Sequence, residues 1–329
     1  MAHPANTYSL VADIGGTNTR VALCEGRRVL GGTIRRYSNA KFPGLEAVLT
    51  QYVADEGGVD TRAICVAVAG PVRDGRATMT NLDWTIDKPT LARAAKAETT
   101  AILNDLQAQG HAIGHIDPAN LRPILAGPEG NERSAKLVIG VGTGFNAAPV
   151  FDGDTARLVP PSEAGHANLP IRTEAEMRLC RYVETAHGFP AVEDVLSGRG
   201  LERVYAWLGE EANDPRQLKA ADIMAAQAAG SDPRATEAVK TFVRILGTVA
   251  GNLALIQLPF GGVFLVGGVA RAMAPYLHEY GFGEAFRDKG RFAGFMGNFA
   301  VSVVEDDFAA LTGCAAHLVD LENRRAARA

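Results

Sequence analysis

Much of what would mark a protein as specialised is missing from this sequence. Only four of its 329 residues are cysteine, Cys24, Cys65, Cys180 and Cys314, and no two have the spacing of a metal site or a redox pair. Reduced thiols in a cytoplasmic protein are the expectation. Basic charge is not in excess. A formal net charge of −4 supplies no field for a phosphate backbone, so no nucleic-acid partner is expected. No apolar run approaches the roughly 18 residues needed to cross a bilayer. The opening MAHPANTYS is polar and unlike a signal sequence, so neither a membrane partner nor secretion is expected. A low-complexity linker is absent, and so is the Gly-Lys-[Ser/Thr] of a Walker A loop. What remains is an ordinary globular composition, 47% apolar and 21% charged, with length for about two domains.

Extended runs and tight glycine turns organise the early chain. Residues 8–12 end at Asp13, Ile14-Gly15-Gly16-Thr17 turns, and residues 20–24 return, which reads as a β-hairpin. Residues 33–37 are a candidate third strand. Residues 44–56 carry Leu45, Val48, Leu49, Tyr52 and Val53 at helical spacing. Residues 63–69 form a short buried strand stopped by Gly70-Pro71, residues 91–97 a helix, and residues 99–103 a buried strand ending at Asn104-Asp105. A second hairpin is expected over 136–150, around Gly140-Val141-Gly142-Thr143-Gly144. Aligning Gly15 with Gly142 sets Leu10-Val11 beside Leu137-Val138, a hint of duplication that two glycine turns could also give by chance.

Later, residues 222–229 and 233–258 are helical and 263–266 are a strand meeting Gly267-Gly268. A helix is expected from 269 to about 280, a strand over 299–304, and a last helix over 307–321 with Asp306 or Asp307 near its N-cap. This order argues for two α/β domains joined across a cleft. Residues 1–110 plus about 305–329 would make the smaller and 111–304 the larger.

Three of the turns suit a phosphate chain. In Asp13-Ile14-Gly15-Gly16-Thr17-Asn18 the two glycines let backbone N–H groups approach a polyphosphate, with no Cβ in the way. Thr17 and Asn18 add side-chain donors. Asp13 is placed to hold Mg²⁺ through water, because Mg²⁺ gives up its hydration shell reluctantly. The Gly142-Thr143-Gly144 turn suits the other side of the chain. Gly267 and Gly268, between a strand and a helix, would let a flat ring lie on backbone while the helix N-terminus faces anionic groups. Each turn taken alone also reads as an ordinary tight connection.

Together these turns resemble the ATPase core shared by sugar kinases, Hsp70 and actin, an actin-like, ribonuclease H-like α/β fold of two domains. More closely, the chain resembles the bacterial glucokinase family of the non-ROK type. VADIGGTNTR, MTNLDW, ILND, SEAGH, EDVLSGRG, FGGVFLVGGVA and LTGCAAHL occur in that family's order and at about its spacing, from Leu10 to about Leu318. The resemblance implies phosphoryl transfer from ATP, with Mg²⁺, to glucose, giving glucose 6-phosphate. It implies Asp105 as the base that takes the proton of the attacking hydroxyl, which is a poor nucleophile without one. Asn81, Asn104, Asp105, Glu163, His166 and Glu193 match sugar-binding positions, and amides and carboxylates suit hydroxyls that both give and take hydrogen bonds. Ala12, Asp13, Ile14, Gly15, Gly16, Thr17, Gly142, Thr143, Gly144, Gly267 and Gly268 match the nucleotide site, with Asp13 also at the metal. A homodimer is implied by the resemblance only. On residues alone, Asn104-Asp105 also reads as a turn, His166 as a structural histidine and Glu193 as a first-turn helix carboxylate.

Three places depart from the family pattern. Leu106 stands where an aromatic commonly follows Asn-Asp, Phe145-Asn146 where Leu-Gly is common, and Pro160-Pro161-Ser162 where Pro-Gly leads into the glutamate. None removes a proposed catalytic or sugar-contacting group. Among rival readings, a kinase for another hexose or an amino sugar is nearest. The ROK family also carries Glu-x-Gly-His, followed by a zinc-binding cysteine cluster. Here Ala167-Asn168-Leu169-Pro170 follows and Cys180 stands alone, so no structural zinc is expected. A non-catalytic sugar-binding regulator would carry a helix-turn-helix, for which Asp13 lies too near the start. An Hsp70-like ATPase would need a peptide-binding module, and none is read before Ala329.

Overall fold

The computed structural model describes residues 7–79, 82–154 and 156–327. The chain divides into two compact units: one runs to Pro118 and adds Asp152–Pro161 and Asp306 onward, and the other is Ala119–Phe151 with Ser162–Glu305. The excursion Asp152–Pro161 therefore groups with the first unit, although its place in sequence suggested the second.

In the first unit, β1 (Tyr8–Ile14) and β2 (Asn18–Glu25) form the expected antiparallel hairpin, with Asp13 opposite Arg20. Alternate residues serve two cores. Leu10, Ala12, Ile14, Val21 and Leu23 face one, and Val11, Ala22 and Cys24 the other. A strand buried on both faces must be apolar throughout, which is why β1 is legible as an unbroken run. On the β2 side lie β3 (Arg28–Val29) and β4 (Arg35–Ser38). On the other, β1 is followed in parallel by β5 (Thr61–Val68) and then Thr99–Asn104.

Between those last two strands the chain makes a small antiparallel sheet of β6 (Val72–Arg73), β7 (Arg76–Thr78) and β8 (Thr85–Asp87), so Thr99–Asn104 is β9. One face of the main sheet is covered by α1 (Leu45–Asp55) and α2 (Lys88–Ala95). The other is covered by α3 (Asp105–Ala112) and the last helix, Ala309–Ala326. These two meet backbone to backbone, since a Cβ on Gly313 would overlap the Ala108 carbonyl.

The second unit is built on β10 (Leu121–Leu125), β11 (Lys136–Val141) and β12 (Phe145–Asp152); the short β13 (Arg157–Leu158) lies in the excursion. Then come α4 (Glu174–His187), α5 (Gly198–Glu211), α6 (Ala220–Ala229) and α7 (Pro233–Gln257). They are followed by β14 (Val263–Val266), α8 (Gly268–Met273), α9 (Phe282–Arg287) and β15 (Val301–Val304), which makes the last helix α10. β11 pairs antiparallel with β12 and parallel with β14, and β14 is parallel to β15. This is the pattern of β2, β1, β5 and β9 repeated. The duplication suggested by two glycine turns is present in the strand order.

Some elements differ from expectation. The helix expected to reach residue 280 stops at Met273. Pro275 has no N–H for a further helical bond, and the chain tightens into a 3₁₀ turn at Ala274–Tyr276. α10 begins at Ala309 rather than 307, while the Asp306 carboxylate accepts from the Phe308 N–H at 2.7 Å. α4, begun by a Thr173–Glu176 capping box, and α5 were not anticipated. α7 is long and apolar enough by length and composition to cross a membrane, contrary to the sequence-based expectation. Two thirds of its most apolar stretch (67%) is buried, as in a core helix of the second unit.

Candidate active site

The first unit brings Asp13 and the Gly15-Gly16-Thr17 turn to one end of its sheet through the β1–β2 hairpin. The turn is closed by Gly15 N–H donating to Asn18 O at 3.0 Å. Asn39, 2% exposed, braces it. Its Nδ2 donates to Gly15 O at 2.8 Å, its Oδ1 accepts from the Thr19 hydroxyl at 2.8 Å, and its N–H donates to Thr17 O. Gly16 and Thr17 are left exposed, while Ala12 and Ile14 are core residues. Nothing local in the sequence marks Asn39, whose partners lie about twenty residues away. The Asp13 carboxylate is part-buried with Arg20 Nη1 at 3.4 Å. Burial pushes its pKa up and the Arg20 charge draws it back, leaving it above the ordinary carboxylate value.

Asn104 and Asp105 fall where β9 becomes α3. Asn104 is the N-cap: its Oδ1 accepts from Gln107 N–H at 2.6 Å and Gln107 returns a carbonyl to the Asn104 N–H. The cap uses the oxygen of the Asn104 amide, so the NH₂ end is the part suited to a hydroxyl. Asp105 is the first residue of α3 and is exposed, its Oδ1 accepting from the Leu106 N–H at 2.8 Å. Leu106, the departure noted above, is 6% exposed. Arg157 completes the support. One guanidinium nitrogen donates to the carbonyls of Gly110, His111 and Ile113 at the far end of α3, and Nε donates to Asp152 at 2.7 Å. Cationic capping of the last carbonyls steadies the helix that carries Asp105.

The second unit collects the remaining candidates. Around the β11–β12 turn, Gly142 N–H donates to Gly144 O and Gly142 O accepts from Gly198 N–H, both at 2.9 Å. The turn thus meets the N-terminus of the 14-residue α5, a place of positive potential. Gly198 was not singled out from the sequence. Gly267 has φ of 104°, and a Cβ there would lie 2.5 Å from Val141 O, so β14 can turn into α8 at this point only with glycine. At Gly144 a Cβ would overlap the Glu193 carboxylate. At Gly142 and Gly268 it would meet nothing within 4 Å. The four glycines of this unit expected to admit a ligand therefore separate into two, Gly144 and Gly267, that admit the protein itself and two, Gly142 and Gly268, that face open space.

Glu193 is half-buried, and its Oε2 accepts from Phe145 N–H at 2.9 Å. It therefore anchors the second glycine turn, besides being one of the residues the family resemblance implies for sugar binding. Glu163 and His166 are both exposed, at the start and end of a short 3₁₀ segment. Ala167 O accepting from Val192 N–H ties that segment to the one bearing Glu193. Glu163, His166, Glu193 and Gly142–Gly144 are thus brought together. Asn81 lies outside the described residues.

For Mg²⁺, among the described residues no group of three or more His, Cys, Asp or Glu converges to hold a metal. Asp13 offers one carboxylate, and water and phosphate oxygens would supply the rest, the usual manner in which Mg²⁺ accompanies a nucleotide. A desolvated carboxylate with a single, loosely placed guanidinium fits that role.

Comparison with known proteins places the chain in a family. The glucokinase family profile matches residues 10–321. The glucokinase of Saccharophagus degradans is 33% identical, over 95% of this chain and 98% of its own length. The crystal structure of a glucokinase from an Antarctic psychrotroph superposes with a TM-score of 0.85 at 30% identity, over 95% of this chain and 98% of that one. A Balamuthia mandrillaris glucokinase solved in complex with glucose shares the fold at 24% identity, with a TM-score of 0.80 over 96% and 94% of the two chains. The architecture is the actin-like α/β fold of sugar kinases, and with a match running from strand β1 into helix α10 the chain belongs to the glucokinase family.

Proposed function

We infer that this protein transfers the γ-phosphoryl group of ATP to glucose, giving ADP and glucose 6-phosphate. The observation that carries the reading is Asp105, exposed at the first position of a capped, braced helix in a chain matched along nearly its whole length by glucokinases. In this reading Asp105 takes the hydroxyl proton as the sugar oxygen attacks phosphorus. The Asn104 NH₂ group, Asn81, Glu163, His166 and Glu193 bond neighbouring hydroxyls. The N–H groups of Gly16 and Thr17 in the first turn and of Thr143 and Gly144 in the second bind phosphate oxygens, and the N-terminus of α5 adds positive potential. Mg²⁺, when bound with ATP beside Asp13, would neutralise charge on the transferring group. Placement in the cytoplasm accords with four free, buried cysteines, and a homodimer follows from the family resemblance.

The test is ADP release from Mg²⁺-ATP measured against a panel of hexoses and amino sugars, with glucose expected to give the highest kcat/KM. Asp105→Ala should lower kcat by about 10³-fold, in the range for loss of a general base, and leave ATP binding intact. Near-normal turnover in that variant removes Asp105 from its role.

A further inference from the structure

Asn146 sits on β12 opposite Gly140, two residues beyond the glycine turn. Its side-chain NH₂ donates to the Ser162 carbonyl. Its Oδ1 accepts from Ala164 N–H at 3.0 Å and from Ala147 N–H at 2.8 Å. The Ser162 hydroxyl in turn lies against Ala147 O and, at 3.2 Å, Asn146 Oδ1. The carbonyl just before Glu163 and the N–H just after it are therefore held by one planar amide. Beyond them, Gly165 is pressed onto the Phe145 carbonyl so closely that any Cβ would collide. Two of the positions that depart from the family pattern, Asn146 and Ser162, touch each other and clamp the segment that bears Glu163 and His166.

We propose that Asn146 is a positioning residue for glucose, fixing the backbone on both sides of Glu163 and so the direction in which Glu163 and His166 present their polar groups. This rests on the sugar-site reading of those two residues. Only a group with a donor and an acceptor at opposite ends of one plane can satisfy both flanking peptide groups. Aspartate would place an acceptor against the Ser162 carbonyl, and alanine would surrender both bonds. With the clamp removed, the segment must be ordered by the sugar at the moment of binding, which weakens affinity without changing the reacting groups. The loss belongs in KM for glucose.

Asn146→Ala should raise KM for glucose about 10-fold, with kcat within threefold and KM for ATP within twofold of wild type. Hydrogen exchange at the Ala164 amide should quicken about 10-fold while amides in the middle of α5 keep their protection. Ser162→Ala, which retains both flanking bonds, should raise KM only two- to threefold, and the double variant should be no worse than Asn146→Ala alone. If Asn146→Ala does not fold, Asn146→Asp, which keeps the shape but sets an acceptor against the Ser162 carbonyl, gives the same reading. An unchanged KM for glucose, a loss confined to kcat, or an Ala164 amide that stays protected overturns the proposal. A wild-type enzyme inactive on every sugar would instead overturn the functional reading, with the sugar-positioning role falling alongside it, while exchange at Ala164 would still report whether the clamp exists.

Discussion

Two demands conflict at Asp13. The position at the end of β1 suits a cation, but partial burial disfavours the charged carboxylate and raises its pKa in spite of Arg20. For a carboxylate raised on folding, the folded state holds more protons than the unfolded between the ordinary value and the raised one. Stability therefore falls as pH climbs through that window. Asp13→Asn should accordingly raise Tm at pH 7, show little gain below the ordinary carboxylate pKa, and lower ADP release by about 10²-fold or more. Calorimetry at the two pH values checks the first part, and a variant less stable than wild type at pH 7 contradicts it. The residues that support the site were less legible than those within it. Asn39, Asn146 and Arg157 find their partners only after distant strands and helices have assembled, so no local pattern announces them.

Among elements, the hairpins were the most readable parts of the sequence. A strand buried on both faces is apolar without interruption, and its glycine turn is short and distinct, as at β1–β2 and β11–β12. Helix ends were harder to place. Apolar spacing ran on past Met273 while Pro275 had already ended the helix, and α5 begins in a glycine-rich stretch, Ser197-Gly-Arg-Gly, that reads as loop. Within the turns the glycines divide by what surrounds them. Gly267→Ala combines a positive φ with a collision at Val141 O and should destabilise the fold by about 2–3 kcal/mol. Gly142→Ala faces open space and should stay within about 0.5 kcal/mol of wild type, yet raise KM for ATP several-fold. Chemical denaturation and nucleotide titration of both variants separate the effects. Equal destabilisation by the two would show that the distinction is wrong.

At the scale of the whole molecule, a pair of histidines adds an acid-side dependence of stability on pH. His111 at the end of α3 and His317 on α10 share a ring-nitrogen contact of 3.1 Å. Burial lowers their pKa values to about 2 and about 4, helped by Arg157 and Arg324 and opposed by Asp152 and Asp320. A histidine depressed on folding is protonated first in the unfolded chain, so stability is complete above about 6.5 and is lost as pH falls from there toward the folded values. Each should take away about 1.5 kcal/mol between pH 6.5 and pH 5. Urea midpoints across that range should fall steeply in wild type and less steeply in His317→Gln. Equal slopes would leave the pair without a part in acid sensitivity.

Where Gly313 lies on Ala108, the order of synthesis acquires a meaning. The sheet that ends at Asp13 and leads into Asp105 is laid down within the first third of translation, but one of its faces has only α3 to cover it until the ribosome has added α10, with Leu311, Cys314 and Leu318. The earliest-made part of the enzyme is thus among the last to become finished, and a nascent chain carries Asp105 long before it has the floor to stand it on.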